Sequence, residues 1–134
     1  RYPYWCVCAT GTHDTSTLRA WWEEDRAATQ KYYNQMMHRG GQAPYYCEDW
    51  VAEEIVRAHL ASPAMLAVLP LQDWLATDAS ARYGGDPGNE RINIPANPRH
   101  YWRWRMHLTL EDLLGDKALC DRLSNLIKGT ARGL

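Results

Sequence analysis

Apolar and polar positions follow two different periods along this chain. From Tyr4 to Thr10 almost every position is apolar, with Tyr4, Cys6 and Cys8 on one alternating face and Trp5, Val7 and Ala9 on the other. A short run that is apolar on both faces predicts a covered, central strand of a parallel sheet. Polar residues then gather at Gly11-Thr12-His13-Asp14. A helical period takes over from about Thr17 to His38, with Leu18, Trp21, Trp22, Ala28, Tyr32 and Met36 on one side and Glu23, Glu24, Arg26 and Lys31 facing outward. Gly40-Gly41 stops it. A second helix is predicted over about Asp49 to Leu60, with Val51, Ile55 and Ala58 inward and Glu53 and Arg57 placed as an i, i+4 pair. Ser62-Pro63 breaks that helix, Met65 to Leu69 predicts a second buried strand closed by Pro70, and Leu71 to Ala76 reads as a short helical turn. Strand, helices, strand is the order of a right-handed parallel crossover.

Asp78 to Pro98 holds most of the Gly, Pro and Asn residues and reads as loop. After the aromatic and basic run Pro98-Arg99-His100-Tyr101-Trp102-Arg103-Trp104-Arg105, two helices are predicted, about Leu110 to Leu114 and Lys117 to Lys128. Gly115 ends the first and Asp116 caps the second, whose apolar stripe is Leu119, Leu123, Leu126 and Ile127. No internal repeat interrupts this order.

Composition narrows the function classes. With 46% hydrophobic and 23% charged residues and a net charge of -1, the chain is neither a disordered tail nor a basic nucleic-acid binder. No apolar run approaches the about 20 residues that cross a bilayer, so no membrane span is expected. Residue 1 is Arg and no basic, apolar leader opens the chain, which leads to the expectation that an upstream segment has been removed. Seven Trp, eight Tyr and no Phe give the aromatic surface polar handles, a bias common where ligands stack in wet sites. The four cysteines, Cys6, Cys8, Cys47 and Cys120, match no zinc spacing and are too sparse for a disulfide scaffold; reduced, mostly buried thiols in a cytosolic protein are expected.

Four places could carry chemistry. His13 and Asp14 lie just past the carboxyl end of the first strand, where parallel α/β folds bind ligands. A carboxylate there can stabilise positive charge in a transition state, and an imidazole can hydrogen-bond a substrate hydroxyl. Spacing alone favours Asp14 as the cap of the helix that begins near Thr17, with His13 a polar loop residue. Gln72 and Asp73 follow the second apolar run and should share that rim, or simply begin a helix. Arg91 and Asn93 project to one side of Arg91-Ile92-Asn93-Ile94-Pro95, or decorate an ordered loop. The run Tyr101-Trp102-Arg103-Trp104-Arg105 interleaves stacking faces with guanidinium groups, suited to a single-stranded nucleic acid or to the C–H face of a sugar. The neutral charge weighs against nucleic acid. The competing reading packs Trp102 and Trp104 inward with Arg103 and Arg105 in water.

In these residues the chain resembles a known family. Gly11-Thr12-His13-Asp14 with Thr17-Leu18-Arg19-Ala20-Trp21-Trp22-Glu23 is similar to the 4-α-glucanotransferases of glycoside hydrolase family 77, the amylomaltases or disproportionating enzymes. Ser62-Pro63-Ala64-Met65 followed by Pro70-Leu71-Gln72-Asp73 resembles that family's next barrel strand and its exit. Arg91-Ile92-Asn93-Ile94-Pro95 resembles its late active-site loop, and Asn97-Pro98-Arg99-His100-Tyr101-Trp102-Arg103-Trp104-Arg105 its C-terminal segment. The four blocks stand in family order over essentially the whole chain, and Asn97 to Trp102 favours the larger plant-cytosolic type and its bacterial relatives. Ala96 and Thr15 depart from the shorter bacterial amylomaltases, which carry Gly and Asn there, and these changes touch substrate preference rather than the chemistry.

The resemblance implies an α/β fold: the C-terminal portion of a (β/α)8 TIM-type barrel, mostly helical with two short parallel strands. Residues 1–77 would hold the last barrel units, 78–98 an active-site loop and 99–134 a C-terminal helical segment. A complete barrel takes about 250 residues, so this length can hold only part of one. The implied activity is transfer of glucosyl units or α-1,4-glucan segments between maltooligosaccharides or glycogen- and starch-type glucans, by a retaining double displacement. Asp14 would stabilise the transition state, and His13, Gln72, Asp73, Arg91 and Asn93 would bind substrate. The nucleophile and the acid/base would come from upstream strands of the same polypeptide, leaving this chain alone inactive. Neither cofactor nor metal is implied, and the expected partners are the glucan substrate and that upstream part, with no nucleic acid and no membrane, in the cytoplasm. A non-catalytic α-glucan-binding or interaction module is the alternative.

Overall fold

The structure, a computed structural model of the chain, describes residues 3–130 and 132. Two strands, β1 (Val7–Cys8) and β2 (Leu66–Ala67), pair in parallel, Val7 opposite Leu66 and Cys8 opposite Ala67. Between them run α1 (Leu18–Glu24), α2 (Arg26–Gln35) and α3 (Asp49–Leu60); after β2 come α4 (Leu71–Ala76), α5 (Leu110–Gly115) and α6 (Lys117–Lys128). Pro87–Glu90 forms a single 3-10 turn inside the loop that joins α4 to α5.

The strands are shorter and far less covered than their apolar runs predict. Over Tyr4 to Thr10 only Val7 and Cys8 join the ladder; Cys8 is 1% exposed but Trp5 is 81% exposed. Met65, Leu66 and Val68 are likewise exposed around β2. The reason is that the described residues supply a single neighbouring strand and pack helices on one side only. Cys8 faces that side, its thiol donating to the His59 carbonyl of α3 at 3.4 Å.

The long helix predicted from Thr17 to His38 breaks at Asp25, whose backbone is extended. Its side chain accepts the N–H groups of Ala27 at 2.9 Å and Ala28 at 3.0 Å, starting α2 afresh in a new direction. Ala28 and Met36, expected inward, therefore face solvent. Thr29 closes the joint from within, donating its hydroxyl to the Trp22 carbonyl at 2.7 Å. α3 keeps its predicted bounds, and its Glu53–Arg57 ion pair forms at 2.7 Å. Ala58 falls at the edge of the arc buried by Val51, Ala52, Ile55, Val56 and Leu60, and is exposed.

The main core gathers Leu18 and Trp22 of α1, Tyr33 of α2, the inner face of α3, Ala76 of α4 and Leu126 of α6. Burying a side chain such as Trp22 completely contributes several kcal/mol; its truncation to Ala would cost about 3–5 kcal/mol. A smaller cluster joins Leu75, Ala81 and Leu119. As the pattern predicts, Asp116 caps α6, accepting the Leu119 N–H at 3.0 Å. Arg122 of α6 donates to the Thr77 carbonyl and sits 3.4 Å from Asp78, which pins α6 to the end of α4. All four cysteines are free thiols, Cys8 and Cys47 buried, Cys6 half-buried and Cys120 exposed. Burial pushes the Cys47 thiol up to about 12.

One buried carboxylate joins strand to helices. Asp73, in the first turn of α4, accepts the Thr10 hydroxyl from the end of β1 and the Leu18 N–H at 2.8 Å from the start of α1. Burial pushes the Asp73 carboxyl above its ordinary 3.8; the hydrogen bonds from Thr10 and Leu18 oppose that shift without cancelling it. The folded chain thus holds this proton to higher pH than the unfolded chain, so the associated stability is complete below 3.8 and is lost as pH rises through the folded value. Asn at this position does not titrate. The difference in urea midpoint between Asp73→Asn and the parent should move in favour of the variant between pH 3 and pH 7, and the opposite drift would refute this account of Asp73.

Candidate functional site

The segment from Gly11 to Ser16 links β1 to α1 and carries His13 and Asp14. It is folded tightly upon itself: Thr15 Oγ1 accepts the Thr12 N–H at 2.9 Å and donates to the Thr12 carbonyl at 3.0 Å. A Cβ on residue 11 would lie 2.7 Å from Thr15 Oγ1, so a side chain there would displace the hydroxyl that closes this turn. Thr17 caps α1 through Ala20, and the Leu18 N–H goes to Asp73. Asp14 is therefore not the cap of α1. Its carboxylate is available for other work.

Arg91 and Asn93 come to the same place. The Asn93 N–H donates to the His13 carbonyl at 3.0 Å, and its side-chain Nδ2 donates to Asp14 Oδ1 at 2.6 Å. Arg91 stitches the two segments, donating from Nε to the Asn93 carbonyl at 2.9 Å and from Nη2 to the Asp14 carbonyl at 3.2 Å. His13 Nε2 lies 3.3 Å from Asp14 Oδ1, and the Asp14 side chain remains 48% exposed.

Gln72 and Asp73 lie beneath this cluster, buried rather than displayed on the rim. Gln72 Nε2 donates to the Glu90 carbonyl at 3.1 Å, holding the loop immediately before Arg91. The Glu90 carboxylate pairs with Arg19 of α1 at 3.1 Å, and Arg19 also donates to the Tyr83 carbonyl at 2.8 Å. Burial pushes the Glu90 carboxyl up, with the Arg19 charge opposing it. Sequence reasoning missed this pair. Its available signal was an arginine among the buried residues of α1, since a buried guanidinium needs a carboxylate partner.

Trp102, expected only as one stacking face of the aromatic run, joins this cluster through Asn93. His100 Nε2 lies 2.8 Å from the Ile92 carbonyl, which folds the aromatic and basic run back along the loop. Trp102 Nε1 then donates to Asn93 Oδ1 at 2.9 Å, and its ring centre lies 5.2 Å from that of His13. The indole is 59% exposed, not packed inward. An indole N–H can only donate, so it takes the amide oxygen of Asn93 and leaves the NH₂ group for Asp14. The aromatic run was the one signal for Trp102; its contact with a loop nine positions earlier has no periodic signature.

A cavity of about 610 Å³ opens beside Asp14, lined by Gly11, Ser16, Trp21, Tyr32 and Arg91 among others. Its size is that of a small-molecule site. Trp21 and Tyr32 meet edge to face with ring centres 5.4 Å apart, forming an aromatic wall. A half-exposed carboxylate held by a neutral donor, with an imidazole and aromatic faces nearby, can accept hydrogen bonds from sugar hydroxyls and stabilise a cationic centre.

The sequence profile of glycoside hydrolase 77, 4-alpha-glucanotransferase, matches residues 1–110. The chain is 42% identical over 133 residues to the 4-alpha-glucanotransferase DPE2 of Oryza sativa subsp. japonica, covering 98% of this chain and 14% of that protein. It is 33% identical over 101 residues to the 4-alpha-glucanotransferase of Aquifex aeolicus, covering 75% of this chain and 18% of that protein. The chain thus spans less than a fifth of the length of either relative. Its fold matches an amylomaltase from Streptococcus agalactiae in complex with acarbose, with a TM-score of 0.67 at 23% identity, over 96% of this chain and 22% of that one. The two short parallel strands and surrounding helices are part of that shared fold, and by its profile match across most of its length the chain belongs to glycoside hydrolase family 77, the 4-alpha-glucanotransferases.

Proposed function

We propose that this chain is the C-terminal portion of the (β/α)8 barrel of a 4-α-glucanotransferase, and that Asp14 is the carboxylate that stabilises its transition state. The observation that carries this reading is the Asp14 side chain itself: past the end of a parallel strand, half exposed, and held by Asn93 instead of capping a helix. The acarbose bound to the amylomaltase of similar fold supports a glucan-type ligand here. A retaining transfer requires a nucleophile carboxylate that forms a glycosyl-enzyme, and an acid/base that protonates the leaving oxygen and then deprotonates the attacking 4-hydroxyl of a second glucan. Both groups belong to upstream strands of the same polypeptide. In this chain Asp14 faces the positive charge developing on the sugar ring, and His13 hydrogen-bonds a hydroxyl of that sugar. Arg91 and Asn93 hold the Asp14 segment in place, and Gln72 and Asp73 act one layer below, on the backbone that carries the site. A cytoplasmic location is part of the same proposal, supported by four free thiols.

Three measurements test it. The 134-residue chain alone should release no glucose from maltose, and release by the pure polypeptide would remove the upstream nucleophile from the account. In the enzyme with its upstream segments, Asp14→Asn should lower kcat by about 10²–10³, the effect of losing one preorganised electrostatic contact, with little change in KM. Trp102→Phe keeps the ring but removes the N–H that orients Asn93, and should lower kcat about tenfold, ~1.4 kcal/mol of barrel-bound transition-state stabilisation. In an Asn93→Ala background the same change should have almost no further effect. Additive losses from the two substitutions would show that Trp102 does not act through Asn93.

A further inference from the structure

A second surface, apart from the Asp14 cluster, combines fixed aromatic faces with hydrogen-bonding groups. Tyr45 and Tyr46, in the connection before α3, are 62% and 65% exposed, with their rings edge to face at 4.8 Å. They are held from behind. The Arg26 guanidinium lies 5.1 Å from the Tyr45 ring centre and donates to the carbonyls of Ala43 at 3.1 Å and of Pro44 and Tyr45 at 3.0 Å. The core residue Trp22 adds its indole N–H to the Pro44 carbonyl at 3.0 Å. The aromatic pair is thus preorganised on a loop anchored to the core, and exposed aromatic surface kept in place this way marks an interaction site.

Beside the tyrosines opens a groove of about 590 Å³, lined also by Gly84, Gly85 and Asp86. Glu23, Glu48 and Arg82 contribute to its lining. Stacking faces together with carboxylates and guanidinium groups suit a pyranose chain, which offers apolar C–H faces for the rings and hydroxyls that both donate and accept. A phosphorylated or polyanionic ligand is disfavoured by the acidic groups, and an apolar peptide by the polar walls. The groove is also tied to the site: Arg19 lines it and pairs with Glu90, the residue before Arg91. The Arg19 Nε is buried without a hydrogen-bond partner.

We propose that the Tyr45–Tyr46 groove is a second saccharide-binding site that holds a linear glucan segment away from the reacting sugar, an inference that rests on the glucan-transfer reading above. The test is affinity electrophoresis of the enzyme with its upstream segments, in gels containing soluble glycogen, alongside Tyr45→Ala/Tyr46→Ala and Tyr45→Phe/Tyr46→Phe. Two lost stacking contacts should weaken glycogen binding about tenfold in the Ala variant, while the Phe variant stays close to the parent. Both side chains are largely exposed, so the substitutions leave no cavity in the core. Equal retardation of the Ala variant and the parent overturns the proposal, and is the result expected if upstream segments of the polypeptide cover the tyrosines instead. When that parent still disproportionates maltose, only the groove is lost. A parent that neither transfers glucose nor is retarded overturns the groove and the activity together.

Discussion

Asp73 receives the Thr10 hydroxyl from the end of β1 and the Leu18 N–H from the start of α1, and so tethers both ends of the segment that carries His13 and Asp14 to one buried side chain. The sheet could not do this unaided, because its ladder is only two residues long on each strand. Burial disfavours the charged carboxylate, while charge-assisted bonds of about 1.5–3 kcal/mol each favour it. Removing the acceptor would leave the first N–H of α1 orphaned in the core. The position of Asp14 is therefore decided on α4, a short helix that never touches the exposed face of the site.

The neighbouring residue on each helix does the same work for the second loop. Leu18 and Asp73 hold the Gly11–Ser16 turn; Arg19, beside Leu18, and Gln72, beside Asp73, both hold Glu90. One takes the Glu90 carboxylate and the other its carbonyl. The chain leaves this double anchor directly into Arg91 and Asn93, which close over Asp14. Two adjacent residue pairs, on α1 and α4, thus fix two loops against each other. A buried ion pair contributes little net stability, since desolvation offsets its attraction, but it is costly to break by removing one partner. Its effect here is to set loop geometry more than to raise stability.

Much of this was legible from periodicity, and the failures have physical causes. The bounds of α3 and α6 and the Asp116 cap follow the 3.6-residue pattern because those helices bury one clear stripe. The break at Asp25 was hidden, since Glu23, Glu24, Asp25 and Arg26 read equally well as the outer face of one helix. The apolar runs at Tyr4–Thr10 and Met65–Leu69 carry the hydrophobicity of fully covered strands, yet the described residues cover one side. The cluster of His13, Asp14, Arg91 and Asn93 was legible as two separate polar segments near loop positions. Spacing does not reveal that these segments meet, because 77 to 79 residues separate the partners in Arg91–Asp14 and Asn93–Asp14.

Asn93 shows why one residue type fits between two others. On one side stands an indole that can only donate, on the other a carboxylate that, ionised, can only accept. A side chain bridging them must accept from the first and donate to the second, at 2.9 Å and 2.6 Å respectively. Aspartate in its place would satisfy Trp102 but set two carboxylates against each other. Leucine would satisfy neither, and serine is too short to span the gap. The amide is the group of this length with both polarities, and the exposed Trp102 ring fixes which end points where. Trp102 therefore reaches Asp14 without touching it, and the orientation of the Asp14 carboxylate's hydrogen-bond donor is written in a segment that resembles only a stacking surface.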